Sequence, residues 1–114
     1  MQLVSAGLGA SGTSKVWEVV SGLCNVQVVG TFDSETVTLH VSPTAKTIPG
    51  NFTDYAAMDA SGTVGTVTFT ENETKVIAGA GQFFYATTSG GGGSPSVSVY
   101  VGPFNKDSVV RVHD

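Results

Sequence analysis

The chain has 114 residues, enough for one domain with a single core. Only 12% of its residues are charged, against ~25% in an average domain, and the net charge is −4. No run approaches the ~20 apolar residues of a transmembrane helix. The five basic residues stand singly and offer no patch for nucleic acid. The lone Cys24 excludes an internal disulfide.

Residues 1–7 carry neither the basic nor the long apolar region of a secretory leader. With an initiator methionine and no disulfide, this predicts synthesis in a cytosol. Residues 6–14 are all small except Leu8. They are read as part of a flexible extended arm, residues 1–14, outside a domain of residues 15–114. Leu3, Val4 and Leu8 are the arm's candidate partner-binding side chains. Gly7, Gly9 and Gly12 have the spacing of a dinucleotide-binding turn, but no helical pattern follows, so no nucleotide site is expected.

From Lys15 onward the apolar period is two, the signature of strands. Residues 15–20 read as a strand and 21–22 as a turn. Residues 24–32 read as a second strand, with Gly30 as a bulge. Residues 36–42 alternate most clearly: Val37, Leu39 and Val41 face one way, and Thr36, Thr38 and His40 the other. Pro43 to Gly50 reads as a loop. Strands follow at 52–58, 64–71, 75–78, 82–88, 96–101 and 109–112. The glycines at 90–93 read as a mobile tip. Short strands at this spacing predict an all-β fold, a single antiparallel β-sandwich or small barrel of eight or nine strands. Trp17 and Cys24 are expected in the core.

The carboxylates at 33 and 35, 54 and 59, and 71 and 73 flank turns, where such groups cap backbone amides. His40, His113 and Cys24 have no metal-ligand spacing. No nucleophile-elbow motif is present. No catalytic residue, cofactor or metal is therefore expected. Phe83, Tyr85 and Tyr100 are the aromatic candidates for partner contact, since successive residues on a strand face opposite sides. The low charge fits a surface partly covered in an assembly, because interface cores are depleted in charged residues.

One stretch carries a resemblance. The run Val26-Gln27-Val28-Val29-Gly30-Thr31-Phe32-Asp33, then Thr36-Val37-Thr38-Leu39-His40-Val41-Ser42-Pro43, with the closing Ser96-Val97-Ser98-Val99-Tyr100-Val101, resembles small β-sandwich virion proteins of tailed bacteriophages. After Pro43 the chain departs from that form, and Phe52 stands in the aromatic position. The resemblance implies a virion protein made in the host cytoplasm. Its role would be capsid decoration, cementing the outside of the head across major capsid protein subunits. The partners implied are the major capsid protein or another virion protein, or further copies of the chain as a homo-oligomer. Neither nucleic acid nor membrane is implied. The alternative is a receptor- or carbohydrate-binding module of a tail or fibre.

Overall fold

The computed structural model describes residues 1–44, 47–48 and 51–113, and these form twelve strands. In chain order they are β1 (Gln2–Leu8), β2 (Val16–Ser21), β3 (Leu23–Thr31), β4 (Thr36–Ser42), β5 (Thr53–Asp54), β6 (Ala56–Met58), β7 (Val64–Thr66), β8 (Thr68–Phe69), β9 (Glu73–Ala78), β10 (Gln82–Ser89), β11 (Ser96–Pro103) and β12 (Val109–His113). Every pairing is antiparallel. Four strands make one sheet, in the order β1-β11-β3-β9. A second sheet runs β12-β2-β10-β4-β5, with β8 also on β4. β6 and β7 form a separate hairpin.

The two larger sheets bury their alternating aliphatic residues against each other. Val26, Val28, Val97, Val99 and Val101 come from the first sheet, and Trp17, Val19, Val37, Leu39 and Phe84 from the second. Trp17 and Phe84 are opposite partners on β2 and β10, and their rings stack at 5.8 Å. Cys24 is buried, as its parity with Val26 and Val28 implies. The all-β sandwich expected from the alternation is what forms, with open edges and no closed barrel.

The arm is the main correction. Residues 2–8 are not outside the domain but form its edge strand β1, paired with β11. Val4 and Leu8 lie in the core, 2% and 9% exposed. Small residues let the backbone lie against β11. The ladder then adds to the burial of two aliphatic side chains, about 1.5–3 kcal/mol each. The following glycines are held by Thr88. Gly12 N donates to its Oγ1 at 2.6 Å, and its hydroxyl donates to Gly9 O at 2.6 Å.

Two further expectations change. Gly30 is not a bulge, since β3 and β11 pair without interruption from Thr31↔Ser96 to Cys24↔Pro103. Its φ is 145°, and a Cβ there would collide with the Ser96 carbonyl. The glycines at 90–93 are not a free tip. Gly92 N donates to Asp33 O at 2.8 Å, and a Cβ on Gly93 would come within 2.9 Å of the Asp33 carboxylate.

The expected strands 52–58 and 64–71 are each broken in two, and Leu39 on β4 marks the fork. Tyr55 N donates to Leu39 O at 2.9 Å, and Leu39 N donates to Val67 O at 3.2 Å. β5 and β8 therefore lie along β4 while β6 and β7 leave the sheet as an outlying hairpin. Asp59 closes its tip, accepting from Ser61 N at 2.9 Å and Thr63 N at 3.0 Å.

Candidate interaction surface

The sandwich has two outer faces, and they differ in chemistry. On the six-stranded side, Glu18 of β2 accepts from His113 Nε2 at 3.0 Å and lies 3.8 Å from Arg111 of β12. Across the sheet, His40 of β4 lies between Asp54 and Thr87. Its Nδ1 is 3.1 Å from Asp54 Oδ1, and its Nε2 is 2.8 Å from Thr87 Oγ1. A carboxylate only accepts, so Nδ1 donates to Asp54, and Nε2 and the Thr87 hydroxyl share the second bond. Between these pairs, Phe83, Tyr85 and Val16 form a small second core with Ile48 and Phe52. His40 stacks on Tyr85 at 4.6 Å, and Phe52 meets Tyr85 edge-on at 4.8 Å.

The order Asp54, His40, Thr87 is that of a nucleophile triad. Its setting differs from one. Asp54 is 62% exposed, where a triad carboxylate is buried. The Thr87 backbone lies within strand pairing, opposite Thr38 on one side and bridged to Thr13 on the other. The arrangement is a cross-strand brace that ties β5 to β10 through β4.

Among the described residues, the outward rows of the four-stranded side hold no such groups. The side chains pointing away from the core form rows across the sheet. Leu3, Tyr100, Gln27 and Thr74 make one row, and Gly102, Asn25 and Val76 the next. Ser98 beside Val29, and Leu23 beside Ala78, extend them. None of these residues is charged. Glu73 and Lys75 of β9 have the opposite parity, and the Lys75 ammonium turns to Thr68 O at 2.7 Å and over the Phe69 ring. Leu3 and Val76 are each 48% exposed, and Leu23 is 37% exposed.

The residues expected to bind a partner separate accordingly. Leu3 and Tyr100 are brought together as opposite partners on this face. Val4 and Leu8 are core residues and are not available to a partner. Phe83 and Tyr85 are covered, 8% and 9% exposed, because Phe52 and Ile48 pack over them. They also lie on the opposite side of the sandwich from Tyr100, so these three aromatics cannot form one platform. Asn25, Gln27, Thr74 and Val76 were missed as surface candidates. Their signal was negative: alternate positions of two strands with no charge.

No protein-family model matches the chain, and no curated protein or solved structure matches it.

Two groups near the ends of the core are electrostatically strained. Glu35 is 1% exposed, and neither carboxylate oxygen has a hydrogen-bond partner among the described residues. Burial and the neighbouring Asp33 charge raise its carboxyl above the ordinary range. Burial pushes the Cys24 thiol up to about 11, which leaves it a thiol and unreactive at neutral pH. Trp17 Nε1 is also buried, and among the described residues its only neighbouring acceptor is the weak one of the Cys24 sulfur.

Proposed function

We propose that this chain is a virion structural protein that decorates the outside of a tailed-phage capsid, bridging major capsid protein subunits through its four-stranded face. The observation that carries the reading is the contrast between the two outer faces. Among the described residues, charged side chains cluster in pairs on one, and none stands in the outward rows of the other. A sheet face without charges costs little to desolvate, and charge depletion marks the cores of protein interfaces. The sequence resemblance to small virion proteins supplies the identity of the partner.

Four strands at ~4.8 Å spacing and about seven residues of ~3.3 Å give roughly 400 Å² of sheet. That is about half of one partner's share in a standard interface. A single contact of this size is weak, and a shell that engages many copies at once compensates by multivalency.

The test is co-sedimentation with capsids lacking the protein, from low salt to about 1 M, where the screening length falls to ~3 Å. Saturable binding at a fixed number per capsid subunit, unchanged across that range and abolished by Gln27→Lys, is the expected result. Binding lost with salt, or indifferent to Gln27→Lys, overturns the assignment of this face. A glycan-binding tail or fibre module is the second reading, favoured by Tyr100 standing opposite Gln27 and Leu3 on this face. Affinity for a host polysaccharide that disappears in Tyr100→Ala would select it over decoration.

A further inference from the structure

Among the three longest edge strands, β9 differs from β1 and β12. β1 has two register shifts against β11, and β12 has one against β2. Such irregularities blunt an edge against further pairing. β9 pairs with β3 over six successive residues, Leu23↔Ala78 to Val28↔Glu73, with no shift.

Which of its main-chain groups face outward follows from one bond. Ala78 N donates to the Tyr55 hydroxyl at 3.1 Å, away from β3. In an antiparallel ladder the outward groups recur every second residue. Val76 and Thr74 therefore also turn their N–H and C=O away from β3, and among the described residues no strand pairs with β9 on that side.

Beside this edge is a cleft of about 440 Å³ whose opposite wall is the β6–β7 hairpin. Val76, Val67, Met58 and Ala57 give it apolar surface. Its two charged lining residues are engaged within the fold. The Asp59 carboxylate closes the hairpin tip, and the Lys75 ammonium is held by Thr68 O. What the cleft offers an incoming molecule is a row of main-chain donors and acceptors above aliphatic side chains.

We propose that this cleft accepts an extended, uncharged peptide segment of a partner protein, which pairs with β9 as a fifth strand of the four-stranded sheet. Main-chain bonds to Val76 and Thr74 give affinity, and alternate side chains of the guest meet Met58 and Val67, as in β-strand addition. The inference goes beyond capsid decoration and does not need it. It concerns a sheet edge, where the decoration reading concerns a sheet face.

The test uses the isotope-labelled full chain and a lysine-flanked peptide of alternating valine and threonine. Peptide addition is expected to shift the amide signals of Thr74 and Val76 saturably and to slow their solvent exchange roughly tenfold or more. The amides of β1 and β12 should not respond. Val76→Pro removes the outward N–H without touching the β3 ladder, a position where edge strands tolerate proline. It should abolish the response at unchanged melting temperature. If that variant fails to fold, Met58→Asp, on a side chain 68% exposed, should weaken binding instead. No response at millimolar peptide, or one centred on β1 or β12, overturns the proposal. Dimerisation of the unliganded protein that Val76→Pro removes would also overturn it, giving the cleft to a second copy of the chain.

Discussion

Glu35 occupies the inward parity of Val37 and Leu39, so its carboxylate is turned toward the core rather than into water. A carboxyl whose folded pKa is raised binds its proton more tightly in the native state. Its contribution is therefore fully present below the unfolded pKa and is lost as pH rises through the folded pKa. Glu35→Gln keeps the shape and removes the charge. It should stabilise the protein at pH 7 by about 1 kcal/mol, with the gain shrinking toward pH 4 in parallel urea titrations. An equal gain at both pH values would show that the charge is not the cause. Cys24 gives a second residue-level outcome: a thiol raised to about 11 should resist a disulfide reagent at pH 8 and react at once in guanidinium. The fate of Cys24 was legible from its two-residue spacing to Val26 and Val28. That of Glu35 was not, although its parity was equally visible, because a carboxylate beside a turn ordinarily faces solvent.

At the scale of elements, the first fourteen residues behave as part of the sandwich. Removing them takes away an edge strand, two core side chains and the segment that Thr88 holds. The truncated chain should be unfolded or strongly destabilised by circular dichroism and thermal melting, whether or not it has a binding role. Thr88→Val leaves Gly12 N and Gly9 O without the hydroxyl and should cost about 1–3 kcal/mol in denaturant unfolding. Alternation located the strands from β2 onward well, because half-buried strands write their parity into the sequence. It failed for β1, where Ser5, Ala6 and Gly7 break the apolar contrast and two register shifts interrupt the parity. It also failed at the Leu39 fork, where the break comes from hydrogen bonding to a third strand and leaves no local mark.

At the scale of the whole molecule, the charge poverty visible in the composition proved to be distributed unevenly. The sequence could show that little charge was present, but not that one face carried none, because parity assigns a side of a strand and not its neighbours. Strand order joins β1 to β11 and β12 to β2, pairings that no local pattern announces. For the same reason Phe83 and Tyr85 could be grouped with Tyr100 on paper while lying on opposite sides of the sandwich. A matched pair of variants tests the asymmetry. Gln27→Lys and Thr38→Lys place one lysine on each outer face, and both should leave the melting temperature within about 2 °C, as surface changes usually do. Only Gln27→Lys should impair assembly, read as the fraction of protein pelleting with capsids.

The pairing of first strands with last ones also bears on how the protein is made. During translation β1 and β2 emerge before β11 and β12, the strands they lie against. Val4 and Leu8 then wait on a nascent chain whose partner strand β11 is not yet synthesised. Contacts this distant in sequence favour slow, late closure. A chain that stalls before residue 96 leaves those side chains uncovered, in a form prone to aggregation or proteolysis. Folding thus becomes a check that synthesis has passed β12, and an assembly built from this domain would draw on copies that carry it.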